Sequence, residues 1–423
     1  MVGLKRIRTV VAALLVLPAL VNVARARQAA PPPPSLEERA FVASKIYSSV
    51  NTYFAHWQAV PGLDFDAEFK QYLERALRAE TRMAFDLATL ELFAALRNGH
   101  TQFVDRGLYG GTLPPAPVAA RPVEGRWVVT RSLVEGVKPG DEILSVDDKP
   151  IEDFFQQSRK YIAASDERAA RRALFFRPYV WPERYTLTLD GGRKVAVERA
   201  AVKAAPTPTP ETEGRWLKEG ELAYVKIPGF GEPRFEQKAL EFVRRFKDAK
   251  ALVIDVRGNG GGSTPQALTK ALMGRPYRWW SEATPQTLAV LKYRGEYHTN
   301  TMMTWGGEVI QPGEPVFKGR LVLLADGGCG SACEDFVMPF KDNGRAVVVG
   351  ERTAGSTGQP YLHDFGNGML IVVGSIRTFF PDGAPFEGVG IAPDIELPVS
   401  LEDLRKGTDP VLQRAIEEAT KIR

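Results

Sequence analysis

This 423-residue chain has only two cysteines, four histidines and almost no excess charge of either sign. Two cysteines do not make a disulfide scaffold. Cys329 and Cys333 stand four residues apart. A bridge across one helical turn has poor geometry, so packed free thiols are expected. The histidines (His56, His100, His298 and His363) all lie far from that pair in sequence, which argues against zinc. No metal and no cofactor are expected. The formal net charge is +4, but Lys5, Arg6, Arg8 and Arg25 all precede residue 27. Without them, 51 basic side chains face 51 acidic ones. A polyanion-binding surface has no support, and no nucleic-acid partner is expected. Beyond the N-terminal leader, no run has the length and apolarity of a membrane span.

What remains is ordinary globular composition, 44% hydrophobic and 25% charged, which excludes wholesale disorder and fibrous repeats. The length suggests two or three domains. The first 26 residues read as a secretory signal. A positive n-region precedes the apolar stretch Thr9 to Val21, and Ala24-Arg25-Ala26 forms an A-x-A-like cleavage site. The alternative is an uncleaved anchor. Cleavage implies a periplasmic or secreted protein with no transmembrane span left. Pro31 to Pro34 follow as a stiff spacer.

Residues 35–111 form an N-terminal region with helical periodicity as far as residue 97. Met83, Leu87, Leu90 and Ala94 share one face, and Asn98-Gly99 reads as the C-cap signal. Residues 112–200 are β-rich, with strand-like runs at Trp127 to Val129 and Tyr185 to Leu189 and a hairpin turn at Asp190-Gly191-Gly192. Residues 202–214, rich in Pro and Thr, read as a linker. From about residue 215 to 400 apolar strands alternate with helices, the pattern of an α/β layer. The expected strands are Leu222 to Ile227, Ala251 to Val256, Leu321 to Ala325, Val347 to Gly350 and Met369 to Val373, with a helix over Phe235 to Phe246. Residues 401–423 are expected to form a C-terminal helix.

Two strand ends carry chemistry. The run Ala251 to Val256 ends in Gly258 to Gly262, where backbone amides can approach a ligand closely; a tight turn is the plainer reading. Leu321 to Ala325 leads into Gly327-Gly328-Cys329-Gly330-Ser331, with a short helix expected over Ala332 to Met338. Small residues before Ser331 permit a sharp turn that exposes its hydroxyl at a helix N-terminus. Ser331-Ala332-Cys333-Glu334 also fits a capping box, so the serine reads equally as an N-cap.

Four ordered segments make a more specific pattern. They are Asp255 to Gly262, Gly330 to Glu334, Gly350-Glu351-Arg352-Thr353-Ala354-Gly355, and Phe386 to Asp394. Together they resemble the S41 peptidases, the C-terminal processing and tricorn-like serine proteases, over about residues 95–400. The resemblance implies an α/β fold: a ClpP/crotonase-like protease core with an inserted domain and an N-terminal helical region. Residues 112–200 resemble a PDZ domain around Val137 to Val146, with Gly110-Gly111 as the nearest candidate for its carboxylate-binding loop; a spacer that binds no peptide is the alternative. Serine–lysine members carry their base where Ser356 stands here, and Lys341 is a poor substitute. The tricorn-like arrangement instead implies Ser331 as nucleophile, His100 as base and Glu387 as the carboxylate that orients it. His363 is a rival base. The tricorn enzyme's serine beside its histidine is replaced by Gly99. Ala332 with Gly260 or Gly261 would form the oxyanion hole. Since this triad lies outside residues 112–200, that region is expected to affect substrate choice or regulation more than chemistry. Trp279-Trp280 reads as core packing, with a cleft-lining role as the alternative. The implied activity is that of an exported serine endopeptidase acting on peptides or proteins, possibly in C-terminal processing. The alternatives are a non-catalytic ligand- or peptide-binding protein on the same fold, or a PDZ-type interaction protein with an inactive core.

Overall fold

A computed structural model describes residues 32–107, 116–202, 210–286 and 302–421. The leader, Gly110-Gly111, His298 and most of the expected linker lie outside the described residues.

The centre is a six-stranded sheet. Its order is Ile395–Glu396, Ala346–Gly350, Arg320–Ala325, Ala251–Asp255, Leu222–Lys226 and Glu213–Lys218. All neighbours are parallel except the last pair. Parallel strands are covered on both faces, which is why Ala251–Asp255 is apolar along most of its length and buried at every position. One face packs the helix Pro233–Arg245, whose Phe235, Ala239 and Val243 recur every four residues toward the core. The other packs the helix Pro410–Thr420 through Val411, Ala415 and Ala419. The C-terminal segment is two helices rather than one. Leu401–Lys406 ends at Gly407, whose left-handed conformation (φ 67°) closes it.

Met369–Gly374 was expected in the α/β layer but leaves it. It pairs antiparallel with Gln102–Asp105 and Pro360–Asp364 and packs on the N-terminal helices Leu36–Tyr53, Phe65–Leu77 and Arg82–Ala95. A short continuous apolar run does not distinguish these two environments. The third helix ends at Ala95 with Leu96 as its cap, so Gly99 is not the cap residue.

Residues 116–201 form a β-rich unit with its own core, including Trp127, Val129, Ile143, Phe155, Trp181 and Leu187. A hairpin joins Arg184–Leu189 to Lys194–Glu198 around residues 190–192. The unit is fastened to the main core by polar contacts. Arg121 and Arg172 both reach Glu351, and Arg405 reaches the Gly140 carbonyl and Asp190.

Candidate active site

The Gly-rich loop after Ala251–Asp255 and the serine loop after Arg320–Ala325 lie side by side, because their strands are neighbours in parallel register. They are stitched directly. Gly330 N–H donates to the Asn259 carbonyl at 3.1 Å, and Gly258 N–H donates to Asp326 Oδ1 at 2.8 Å. Gly261 must lack a side chain: its φ is +95°, and a Cβ there would lie 2.7 Å from Ser331 Cβ. The Thr353-to-Ser356 loop joins through Ser331 N–H to the Ser356 carbonyl at 2.9 Å. The Glu387 loop follows through Gly388 N–H to the Gly355 carbonyl at 2.7 Å.

Ser331 sits at φ 54°, ψ −128°, a conformation that non-glycine residues rarely adopt and one that persists only where its surroundings hold it. Glu334 is part of that hold. Its buried carboxylate accepts Gly355 N–H at 2.7 Å, Ser356 N–H at 3.0 Å and Ser331 N–H at 3.2 Å, and it contacts the Thr353 hydroxyl. Burial pushes its carboxyl up to about 8. The helix beyond runs Ala332–Asp342, passing through Pro339 rather than stopping at Met338. Proline removes one ladder bond, but Phe336, Val337, Met338 and Phe340 are buried and keep the helix on the sheet.

The cysteine expectation is corrected here. Cys329 and Cys333 form a disulfide with their Cα atoms 5.4 Å apart. They do not share a helical turn. Cys329 precedes the helix, and the bend at Ser331 folds it back toward Cys333.

His100 and Ser331 are 231 residues apart in sequence, yet His100 Nε2 lies 3.1 Å from Ser331 Oγ. On the other side of the ring, His100 Nδ1 lies 2.7 Å from Ser356 Oγ, and Ser356 Oγ donates to Glu387 Oε1 at 2.8 Å. A hydroxyl has one proton to donate. With that proton on Glu387, Ser356 accepts from Nδ1–H, which leaves Nε2 as an acceptor facing Ser331. Glu387 thus reaches the imidazole through Ser356. The same Oε1 accepts from Asn98 Nδ2 at 2.7 Å and contacts the Ser165 hydroxyl. Burial lowers His100 to about 4 and pushes Glu387 up to about 7, both because desolvation disfavours the charged form.

Of the expected oxyanion donors, Ala332 is the first residue of its helix, so its amide has no intrahelical acceptor. Gly260 borders open space, where a Cβ would meet nothing within 4 Å. Gly261 is excluded, since its N–H already donates to Asn259 Oδ1 at 2.9 Å. His363 lies away on the strand Pro360–Asp364, its ring against Phe365, and partial burial, followed by the charge of Lys45, lowers its pKa. Lys341 is paired with Asp394. Trp280 is core, packed near Phe386 and bonded through Nε1 to Asp335.

Three polar residues at this site escaped the motif reading: Ser356, Asn98 and Ser165. The last comes from the β-rich unit, so that unit touches the site although the three triad residues lie outside it. A lone serine carries no pattern. The one available signal was that position 356 lacks the lysine and Gly99 lacks the serine found in the two kinds of relative.

A hydroxyl hydrogen-bonded to a neutral imidazole, with a carboxylate behind it and free amides beside it, has the chemistry of acyl transfer, the equipment of a serine-type peptidase. Residues 221–397 match Peptidase family S41, and with the relatives that follow this match supports a serine-type peptidase. The chain is 26% identical over 389 residues to carboxyl-terminal-processing peptidase 2, chloroplastic, of Arabidopsis thaliana, covering 82% of this chain and 68% of that one. It is 24% identical over 401 residues to putative tricorn protease homolog 2 of Streptomyces coelicolor, covering 85% of this chain but 30% of the relative. Carboxyl-terminal-processing peptidase 3 of Arabidopsis thaliana is matched over 49% of its length. Thus the protein spans half or less of two of these three curated relatives. Among solved structures, mature CPAF superimposes with a TM-score of 0.68 at 18% identity, covering 92% of this chain and 99% of that one. The photosystem II D1 C-terminal processing protease gives 0.55 at 17%, covering 90% and 97%. At such identities the likeness is one of fold.

Proposed function

We propose that the protein is an exported serine endopeptidase that cleaves peptide or protein substrates through an acyl-enzyme on Ser331, with C-terminal processing as its setting. The observation that carries this reading is the 3.1 Å approach of His100 Nε2 to Ser331 Oγ, with Nδ1 tied through Ser356 to Glu387. His100 takes the serine proton as Oγ attacks the scissile carbonyl, and delivers it to the leaving amine. Ionised Glu387, acting through Ser356, fixes the tautomer and offsets the imidazolium charge. The Ala332 and Gly260 amides receive the oxyanion. Water then repeats the sequence on the acyl-enzyme.

Cleavage close to the C-terminus of a substrate is supported by the names of the carboxyl-terminal-processing relatives. Export is supported by the leader and by the disulfide, a bond at home in oxidising compartments. Among the described residues no helix is long and apolar enough to cross a membrane.

The deciding experiment is covalent labelling with an aryl or peptidyl phosphonate, followed by peptide mapping. The expected result is one adduct on Ser331, with Ser331→Ala unlabelled and its turnover lowered by roughly 10⁶-fold. A folded parental protein that neither labels nor cleaves a peptide library belongs to the binding-protein class instead.

A further inference from the structure

Resting on the Ser331–His100–Glu387 reading, we propose that Ser165 is a positioning residue of the same site, through which the β-rich unit completes the environment of the Glu387 carboxylate.

Ser165 follows the helix Ile151–Ser158 and the turn Arg159–Tyr161, within the β-rich unit. Its hydroxyl has two partners that belong to two other segments of the fold. It accepts Gly99 N–H at 2.8 Å, one residue before His100, and it donates to Glu387 Oε1. One side chain therefore fixes the loop that presents the base and the carboxylate behind it. The space is closely shaped. A Cβ on Gly99 would lie 3.3 Å from Ser165 Oγ, and one on Gly388 would lie 3.1 Å from the Ser165 carbonyl oxygen. Nearby, Arg168 pairs with Asp166 and reaches the Val389 carbonyl, which docks this segment on the Glu387 loop.

The chemical consequence follows from counting donors. Glu387 Oε1 accepts from Asn98, Ser356 and Ser165. Asn98 comes from the His100 loop, and Ser356 carries the link to the imidazole. Ser165 is the donor supplied from the β-rich unit. Each donor favours the ionised carboxylate against desolvation. Losing Ser165 leaves Glu387 harder to ionise and takes from the Gly99 N–H the hydroxyl that accepts it. The titratable groups coupled to Glu387 are His100, through Ser356, and Glu334 from the serine helix; Arg168, paired with Asp166, reaches only the Val389 carbonyl two residues on.

The test is phosphonate acylation of the full-length protein, separated into the probe's apparent affinity and its maximal rate, across pH. Ser165→Ala should lower the maximal rate about 10- to 100-fold, the loss expected for a hydrogen bond to a charged group. Affinity should change less than about twofold, and the acid limb should move to higher pH. Ser165→Thr, which keeps the hydroxyl, should recover most of the rate. In a Glu387→Gln background Ser165→Ala should add little, because the two act as a unit. Ser132→Ala, a hydroxyl elsewhere in the same unit, should match the parent. Parental rate and acid limb in Ser165→Ala overturn the proposal while leaving the Ser331 reading standing. Undiminished labelling of Ser331→Ala overturns both. If Ser165→Ala does not fold, Ser165→Cys takes its place; a weak donor there should give an intermediate rate, and a parental one overturns the proposal.

Discussion

Ser356 Oγ stands between His100 Nδ1, at 2.7 Å, and Glu387 Oε1, at 2.8 Å, so base and carboxylate communicate through a third side chain. Ser356→Ala removes that link and leaves a buried N–H without its acceptor, at a cost of about 1–3 kcal/mol. The expected outcome is a kcat lowered roughly 10- to 100-fold with KM little changed. Steady-state kinetics on a fluorogenic peptide checks it. A variant with parental kcat means that His100 does not depend on this relay.

Gly99 and Ser356 compete for one volume. A Cβ on Gly99 would lie 2.8 Å from Ser356 Oγ and 3.1 Å from its Cβ. Gly99→Ser alone should therefore displace Ser356 and lower activity at least as much as Ser356→Ala. Combining Gly99→Ser with Ser356→Gly frees the volume and returns one hydroxyl to it from the other side. The double variant should be more active than either single change. Equal or deeper loss in the double would show that only a hydroxyl from position 356 can serve.

The ease of reading each part from sequence follows from how local its signal is. The loops carrying Gly258 to Gly262 and Ser331 were visible as glycine-rich ends of buried apolar strands, but only the four ordered segments separated a site from a tight turn and an N-cap. His100 and Glu387 came from family motifs rather than from periodicity. Ser356 and Ser165 were illegible as site residues. Their contacts to His100 and Glu387 span 256 and 222 residues, and isolated serines resemble loop residues anywhere. The cysteine pair defied its spacing because the two do not share a helix: the positive φ of Ser331 breaks the backbone direction between them. The strand Met369–Gly374 was found, but its sheet was not, since its alternatives are equally apolar.

Cys329 and Cys333 bracket Ser331 and Ala332, so their bridge closes a short loop around the nucleophile and one proposed oxyanion donor. Both are wholly buried. Reduction under native conditions should accordingly be slow, and partial unfolding should accelerate it. Once reduced, the loop loses a constraint on the unusual Ser331 backbone, and the maximal rate of phosphonate acylation should fall. Cys329→Ala with Cys333→Ala should show the same loss permanently, without sensitivity to reductant. Thiol titration alongside activity measures both. Full activity in the fully reduced protein would assign the bridge to stability alone.

The pH dependence distinguishes which group controls the reaction. Desolvation lowers His100 to about 4, so the imidazole is neutral and ready to accept a proton across the neutral range. Desolvation raises Glu387 to about 7, so below that pH its carboxyl is protonated and cannot offset an imidazolium. Activity requires the ionised form, present above the raised value, and kcat/KM should therefore rise with pH through about 7. The rise belongs to Glu387 although it falls near the range of an unperturbed histidine. Glu387→Gln removes that titration. Its rate should be lower throughout, and its remaining acid limb should fall toward the value of about 4 that burial gives His100. Glu334, pushed up to about 8, is the other carboxyl in reach, and its titration persists in Glu387→Gln. A limb left near 7 in Glu387→Gln would transfer control to His100 or Glu334. Single-turnover acylation across pH 4–9 separates these outcomes, because product release does not enter it.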